Sequence, residues 1–221
     1  MDKAKLKKIA TTGLKVLKNA VDIASKFFPP VGVIGSLIDA VLGVFEKTQS
    51  ITDVQKHFQV ISQGLDELSQ QNQKVMEDIG KATTDRQFKD VRFSLNYQFK
   101  KYKEMIDAPP EEVEKRTQEF VEFYEEAQGR QHLYTLYESV IGVSKIFSQP
   151  ILQVYQQHSG TDRETMINLS QDLFSLFSIG CITMMAHGVI IKDDVEGRAK
   201  EWEEKMVEVT SAIEKAVGEF K

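Results

Sequence analysis

Residues Leu173–Ile191 read LFSLFSIGCITMMAHGVII, a run of 19 residues that carries no formal charge when His187 is neutral. A helix of this length spans about 28 Å, close to the roughly 30 Å hydrocarbon core of a bilayer. Because the segment is apolar on every side, it must be buried, either in protein or in lipid. The fold therefore depends on what covers it.

Two environments fit this segment, a membrane and the centre of a helical bundle. Ser175, Ser178 and Thr183 dilute its apolar character, and Lys192-Asp193-Asp194 follows it instead of an aromatic belt or a basic flank. An exposed apolar patch of this size would exceed what a soluble monomer tolerates. We therefore predict that Leu173–Ile191 is covered by protein in the resting state, with a transmembrane helix as the alternative.

The clearest periodicity lies between residues 51 and 79, where apolar residues alternate three and four apart for about four heptads. They are Ile51, Val54, Phe58, Ile61, Leu65, Leu68, Val75 and Ile79. This spacing predicts one helix of roughly 30 residues. Asn72 is the one polar member of the seam. It is either a buried residue that sets register and oligomeric state or a residue at a solvated edge.

Shorter apolar stripes indicate further helices. They begin near Phe88, Val113, Leu133, Pro150 and Val195, with Gly129 expected just beyond a helix end and Thr161 with Glu164 expected to form a capping box. No stretch shows sustained strand alternation, and no low-complexity linker divides the chain. The sequence thus predicts an all-α fold, a single domain over residues 1–221. We expect an elongated multi-helix bundle with long heptad-patterned helices.

The N-terminal 45 residues combine a basic amphipathic helix with a second apolar segment. Residues 1–28 contain seven lysines and two aspartates, a net charge of +5. Because the whole chain has a net charge of −5, the remaining residues carry −10. Pro29-Pro30 ends this helix, and residues 31–45 contain Asp39 as their only charge. This combination is typical of an element that a bundle stores and releases onto a bilayer, and equally of a buried helical hairpin.

If residues 1–45 are a detachable membrane-binding element, lysines contact anionic headgroups and apolar side chains enter the hydrocarbon layer. The candidate membrane-contact residues are Lys7, Lys8, Lys15, Lys18, Phe27, Phe28, Val33, Ile34, Leu37, Ile38, Val41, Leu42 and Phe45. We therefore expect a protein that binds an anionic lipid membrane and conditionally inserts into it. The alternative is a soluble scaffold that binds itself or partner helices through its heptad seams. We expect self-association, and the acidic net charge argues against nucleic acid as a partner.

Signatures of catalysis and cofactor binding are missing from the sequence. It has no glycine-rich phosphate loop, nucleophile elbow or metalloprotease helix, and none of its four histidines follows a Glu by three residues. Cys181 lies in the apolar segment, where a thiol behaves as an inert hydrophobe. His187 is expected to be a satisfied buried histidine, with a haem ligand or a pH switch as the alternatives. We predict no enzyme activity, no metal and no cofactor.

The lone cysteine and the lack of a visible signal peptide favour the cytoplasm, with peripheral association with a membrane.

The second half of the sequence resembles the vertebrate rapunzel family. The resembling residues, spread over residues 95–206, are Gln98-Phe99-Lys100, 133–137 (LYTLY), 147–154 (FSQPILQV), 176–180 (LFSIG), 184–187 (MMAH) and 202–206 (WEEKM). The N-terminal third is similar only in character. The resemblance implies a small helical protein linked to development or tissue homeostasis, and it supplies no catalytic residue. Separately, long helices with stored apolar segments resemble the architecture of α-helical pore-forming toxins.

Overall fold

The computed structural model describes residues 3–26, 31–32, 35–36, 38–39, 42–43, 51–70, 86–144, 147 and 149–220. Within these ranges the chain forms eight helices of nine residues or more and no strand. They are α1 (Lys3–Ala24), α2 (Ile51–Gln70), α3 (Arg86–Ile106), α4 (Val113–Glu126), α5 (Gly129–Ile141), α6 (Ile151–Ser159), α7 (Arg163–Ile191) and α8 (Val195–Gly218). The predicted all-α multi-helix bundle is confirmed.

Helix α7 is the centre of the bundle and contacts each of the seven other helices in the part of the chain that the structure describes, most extensively α1, α3 and α8. Every residue from Leu169 to Val189 is buried. The prediction that the charge-free segment is covered by protein is therefore confirmed as far as Val189. Its last residue, Ile191, reaches the surface and is 43% exposed.

Helix α1 lies directly against α7 and α8, as its amphipathic pattern requires. Its buried stripe consists of Ile9, Ala10, Leu14, Val16, Leu17, Ala20, Val21 and Ala24. Gly13 lies where α1 crosses α7, and a Cβ there would lie 2.7 Å from the Cα of Ile182. Only glycine allows the two backbones to approach so closely. Removal of α1 would thus uncover the central helix.

The described residues between 31 and 43 are helical and pack back onto the second half of α1. A Cβ on Gly35 would lie 2.6 Å from Cγ1 of Val21, and Asp39 forms an ion pair with Lys18 at 3.0 Å. Ile38 is 1% exposed. These contacts are those of a helical hairpin with α1, one of the two arrangements that the sequence left open.

The heptad seam forms a helix at least as far as Gln70, and its residues Phe58, Ile61 and Leu65 are buried. The remainder of the predicted helix, including Asn72, lies outside the described residues. The stripe of α3 is confirmed, since Phe88, Val91, Leu95, Tyr102 and Ile106 are all buried. Apolar periodicity therefore identified the buried faces of these helices correctly.

Three predicted helix ends are wrong. Helix α1 ends at Ala24 rather than continuing to Pro29-Pro30. Helix α4 ends at Glu126, and Gln128 rather than Gly129 adopts the left-handed conformation, with φ 51°. Gly129 is instead the first residue of α5, and a Cβ there would lie 2.5 Å from the ring of Tyr124, so only glycine fits at this position. The capping box is also displaced, because the carboxylate of Asp162, not the hydroxyl of Thr161, accepts the hydrogen bond from the backbone N–H that caps α7.

Candidate functional site

Helix α7 has the length and composition of a bilayer-crossing helix, a property found in no other helix of the described residues, although the core helix of a soluble protein has it too. Two of its hydroxyl groups are satisfied within the helix. Ser178 Oγ donates to the Phe174 carbonyl at 2.9 Å, and Thr183 Oγ1 donates to the Ile179 carbonyl at 3.0 Å. Such side chains need no partner outside the helix, so they suit a protein core and a lipid environment alike.

An ion pair fixes the N-terminal side of the apolar run. The Asp172 side chain is completely buried, and its carboxylate accepts hydrogen bonds from both terminal nitrogens of Arg92 on α3, with 2.7 Å between Nη2 and Oδ1. A buried carboxylate is stable only when it is paired in this way. Withdrawal of α7 from the bundle would therefore break this pair.

An aromatic and polar contact fixes the other end of α7. The His187 ring stacks on Tyr124 of α4 with 4.4 Å between centroids, and its Nε2 lies 3.2 Å from Oε1 of Glu125. Burial lowers the pKa of His187, and the positive charges of Arg198 and Arg130 lower it further. The hydrogen bond to Glu125 raises it and so offsets part of this effect. The imidazole is therefore neutral at pH 7.

The outer face of α1 is basic. Lys8, Lys15 and Lys18 are exposed, and Lys7 is half-buried. The hydrogen bond to Asp39 raises the pKa of Lys18, and the charge of Asp39 adds to this effect. Because the opposite face of α1 is packed on α7 and α8, these ammonium groups can approach an anionic surface without any rearrangement of the bundle.

The apolar members of the predicted membrane-contact set are placed differently. Ile38 is buried, and Leu42 is partly buried against the core. The other members, Phe27, Phe28, Val33, Ile34, Leu37, Val41 and Phe45, lie outside the described residues. In this structure the predicted lysines are therefore at the surface, while the described apolar members are not.

Sequence reasoning missed the Arg92–Asp172 pair and an exposed aromatic cluster. Phe93 is 69% exposed and stacks on Tyr97, whose ring lies 4.6 Å from that of Phe123 on α4. The sequence did contain a signal for the ion pair, because Arg92 and Asp172 are charged residues directly next to buried apolar residues. Phe93 lies off the stripe of α3, and no sequence feature marks it.

No three His, Cys, Asp or Glu side chains within the described ranges converge where a metal could bind. Cys181 is buried, and burial raises the pKa of its thiol. A thiol in this state is neither a good nucleophile nor a metal ligand. The absence of a cofactor and of enzyme activity stays a prediction.

This arrangement defines a class of protein, a helical bundle that encloses an apolar helix of membrane-spanning length beneath a basic surface helix. Residues 46–221 match the family described as the cephalotoxin-like middle helical domain. Protein rapunzel of Danio rerio is 37% identical over 216 residues, which cover 98% of this chain and 95% of that protein. The chain therefore belongs to the rapunzel family, and the relationship extends well beyond the residues that resembled it. No solved structure matches the chain.

Proposed function

We propose that this protein is a non-enzymatic, cytoplasmic membrane-binding bundle that docks on anionic lipid through α1 and conditionally inserts α7 into the bilayer. The observation that carries the proposal is the enclosure of α7 by the seven other helices α1–α6 and α8 of the described residues. A helix with this composition can be stable in protein or in lipid, but not in water. The bundle would thus be the storage form and the inserted helix the active form, in the manner of a pore-forming protein.

The dimensions of α7 support this role. Asp172 and Lys192 bracket the apolar run and are 20 residues apart, so in a helix they lie about 30 Å apart along the axis. This separation equals the approximate thickness of the hydrocarbon core and would place both charges near the headgroups. The hydroxyl groups that bond within the helix would not have to be resolvated.

Docking would precede insertion and use the lysines of α1. Each lysine near an anionic bilayer contributes about 1 kcal/mol of binding free energy, and salt weakens this attraction. Lys8 and Lys15 are both exposed, so together they would account for roughly 2 kcal/mol. Because α1 also covers α7, a membrane that binds α1 is close to the stored helix.

A soluble scaffold is the second candidate, and the exposed aromatic cluster favours it. Phe93, Tyr97 and Phe123 form contiguous rings on α3 and α4 that could pack against a partner helix. The described part of the heptad seam is less suited to this purpose, since its residues Phe58 and Leu65 are buried within the chain.

Sedimentation with vesicles tests docking. We expect the full chain to bind vesicles that contain phosphatidylserine, and the Lys8→Glu, Lys15→Glu variant to bind at least 30-fold more weakly, as about 2 kcal/mol of lost attraction implies. Lys89→Glu with Lys100→Glu is the matched control, because it makes the same charge change at exposed positions of α3. Equal weakening in both variants would show that only net charge matters and would overturn the role of α1. Deletion of α1 is no substitute, because it would expose α7.

A further inference from the structure

His187 lies four residues before the end of α7, the helix proposed to insert, and it is 6% exposed. Its ring is held from α4 by the stacked ring of Tyr124 and the carboxylate of Glu125. A cavity of about 330 Å³ lined by these three residues, Gly129 and Arg130 opens beside it. The imidazole therefore links α7 to α4 at the edge of this cavity.

The charged groups around His187 come from three elements besides α7. Glu125 is on α4, Arg130 is on α5, and Arg198 is on α8. Arg130 and Arg198 both contact the carboxylate of Asp193, which connects α7 to α8. An imidazolium at this position would therefore meet one exposed carboxylate, two guanidinium groups and an apolar helix interior. Glu125 compensates only in part because its side chain is 58% exposed and thus screened.

We propose that His187 is the pH sensor of the bundle: its protonation weakens the contact between α7 and α4 and releases the C-terminal end of the central helix. As a trigger for insertion, the sensor rests on the function proposed above. As a property of the bundle in solution, it does not. The chemistry it detects is an acidic compartment or surface, where histidine changes its charge.

The direction of the effect follows from proton linkage. In the closed bundle the pKa of His187 is lowered from its ordinary 6.5, chiefly by burial. Protons therefore bind preferentially to states in which the imidazole reaches water. The contribution of His187 to stability is complete above pH 6.5 and is lost progressively as the pH falls towards the pKa of the closed bundle. Between pH 7.5 and 5.5 one such group shifts the equilibrium between closed and open states by at most about tenfold.

The lone cysteine gives a direct measurement of this opening without any lipid. Cys181 is six residues before His187 on the same helix and is completely buried. We would measure its reaction rate with 4,4′-dithiodipyridine and divide it by the rate of a cysteine peptide at the same pH. The expected result is a rise in this ratio from pH 7.5 to 5.5 that stays below tenfold in the full chain, because the hydrogen bond to Glu125 offsets part of the lowered pKa. A ratio that does not change over this range would overturn the proposal.

Three variants make the test specific. His187→Gln retains a hydrogen-bond donor but cannot titrate, so the rise should disappear, whereas His158→Gln, at an exposed position of α6, should leave it intact. Glu125→Gln removes the compensating carboxylate and should enlarge the rise, which provides a second test if the first variant does not fold. A rise that persists in His187→Gln would refute the sensor. Acid-induced opening without vesicle leakage would support the sensor and refute insertion. Vesicle leakage without acid-induced opening would support insertion and refute the sensor.

Discussion

Replacement of Arg92 by Met should destabilise the protein by about 3 kcal/mol, because the buried carboxylate of Asp172 would lose its ion-pair partner. Removal of one partner from a buried pair typically costs about 3–5 kcal/mol. The lower end of this range applies here, since the Arg92 side chain is 21% exposed while that of Asp172 is 0% exposed. Water can therefore reach part of the vacated space and solvate the carboxylate.

Urea denaturation followed by circular dichroism at 222 nm measures this change. Lys103→Met is the matched control, because it breaks an ion pair of the same helix with Asp66 at partly exposed positions, and we expect a loss below about 1 kcal/mol. The double variant Arg92→Met, Asp172→Leu should recover most of the stability, since it removes both charges from the core. A stabilising role for the buried ion pair is ruled out if Arg92→Met costs no more than Lys103→Met, or if the double variant is less stable than Arg92→Met alone.

Three further predictions concern the packing of α7 and its connection to α8. Gly13→Ala should lower the thermal midpoint, because its Cβ would collide with the backbone of α7 and overpacking costs about 1–3 kcal/mol; Gly218→Ala, with nothing within 4 Å, should not. Phe177→Asp should prevent folding, since it buries an unpaired charge, whereas Phe93→Asp at the surface should fold normally by circular dichroism. The pKa of Asp193 is lowered to about 2, chiefly by a hydrogen bond from Arg198. Its contribution to stability is therefore present above its ordinary pKa of 3.8 and lost as the pH falls to about 2. Asp193→Asn should accordingly flatten this part of an acid denaturation curve.

The sequence predicted the buried faces of the helices because apolar periodicity is a property of each helix by itself. The spacing from Phe88 to Ile106 identified the inner side of α3, and the charge-free run identified the central helix. The sequence could not decide what covers residues 31–43, since protein and lipid favour the same apolar composition. The packing of Gly35 against Val21 is a tertiary contact that no periodicity reports.

The features that hold α7 in place were hidden for a similar reason. Arg92 and Asp172 are 80 residues apart, and His187 is 62 residues from Glu125, so no local pattern connects them. The helix end predicted at Gly129 was wrong for a related reason, because the close approach of Tyr124 to Gly129 is a tertiary contact that helix-capping preference does not report. Local rules placed the elements, and pairing between distant residues determined the candidate site.

Release of an entrapped dye from phosphatidylserine vesicles by the full chain between pH 5 and 7.5 is the most direct test of membrane insertion. Docking through α1 and insertion of α7 predict leakage that requires anionic lipid, decreases with added salt and increases as the pH falls below 6.5. They also predict that Lys8→Glu with Lys15→Glu abolishes leakage while the folded bundle persists. If the folded protein neither binds nor permeabilises such vesicles at any pH in this range, the membrane function is wrong and the scaffold takes its place.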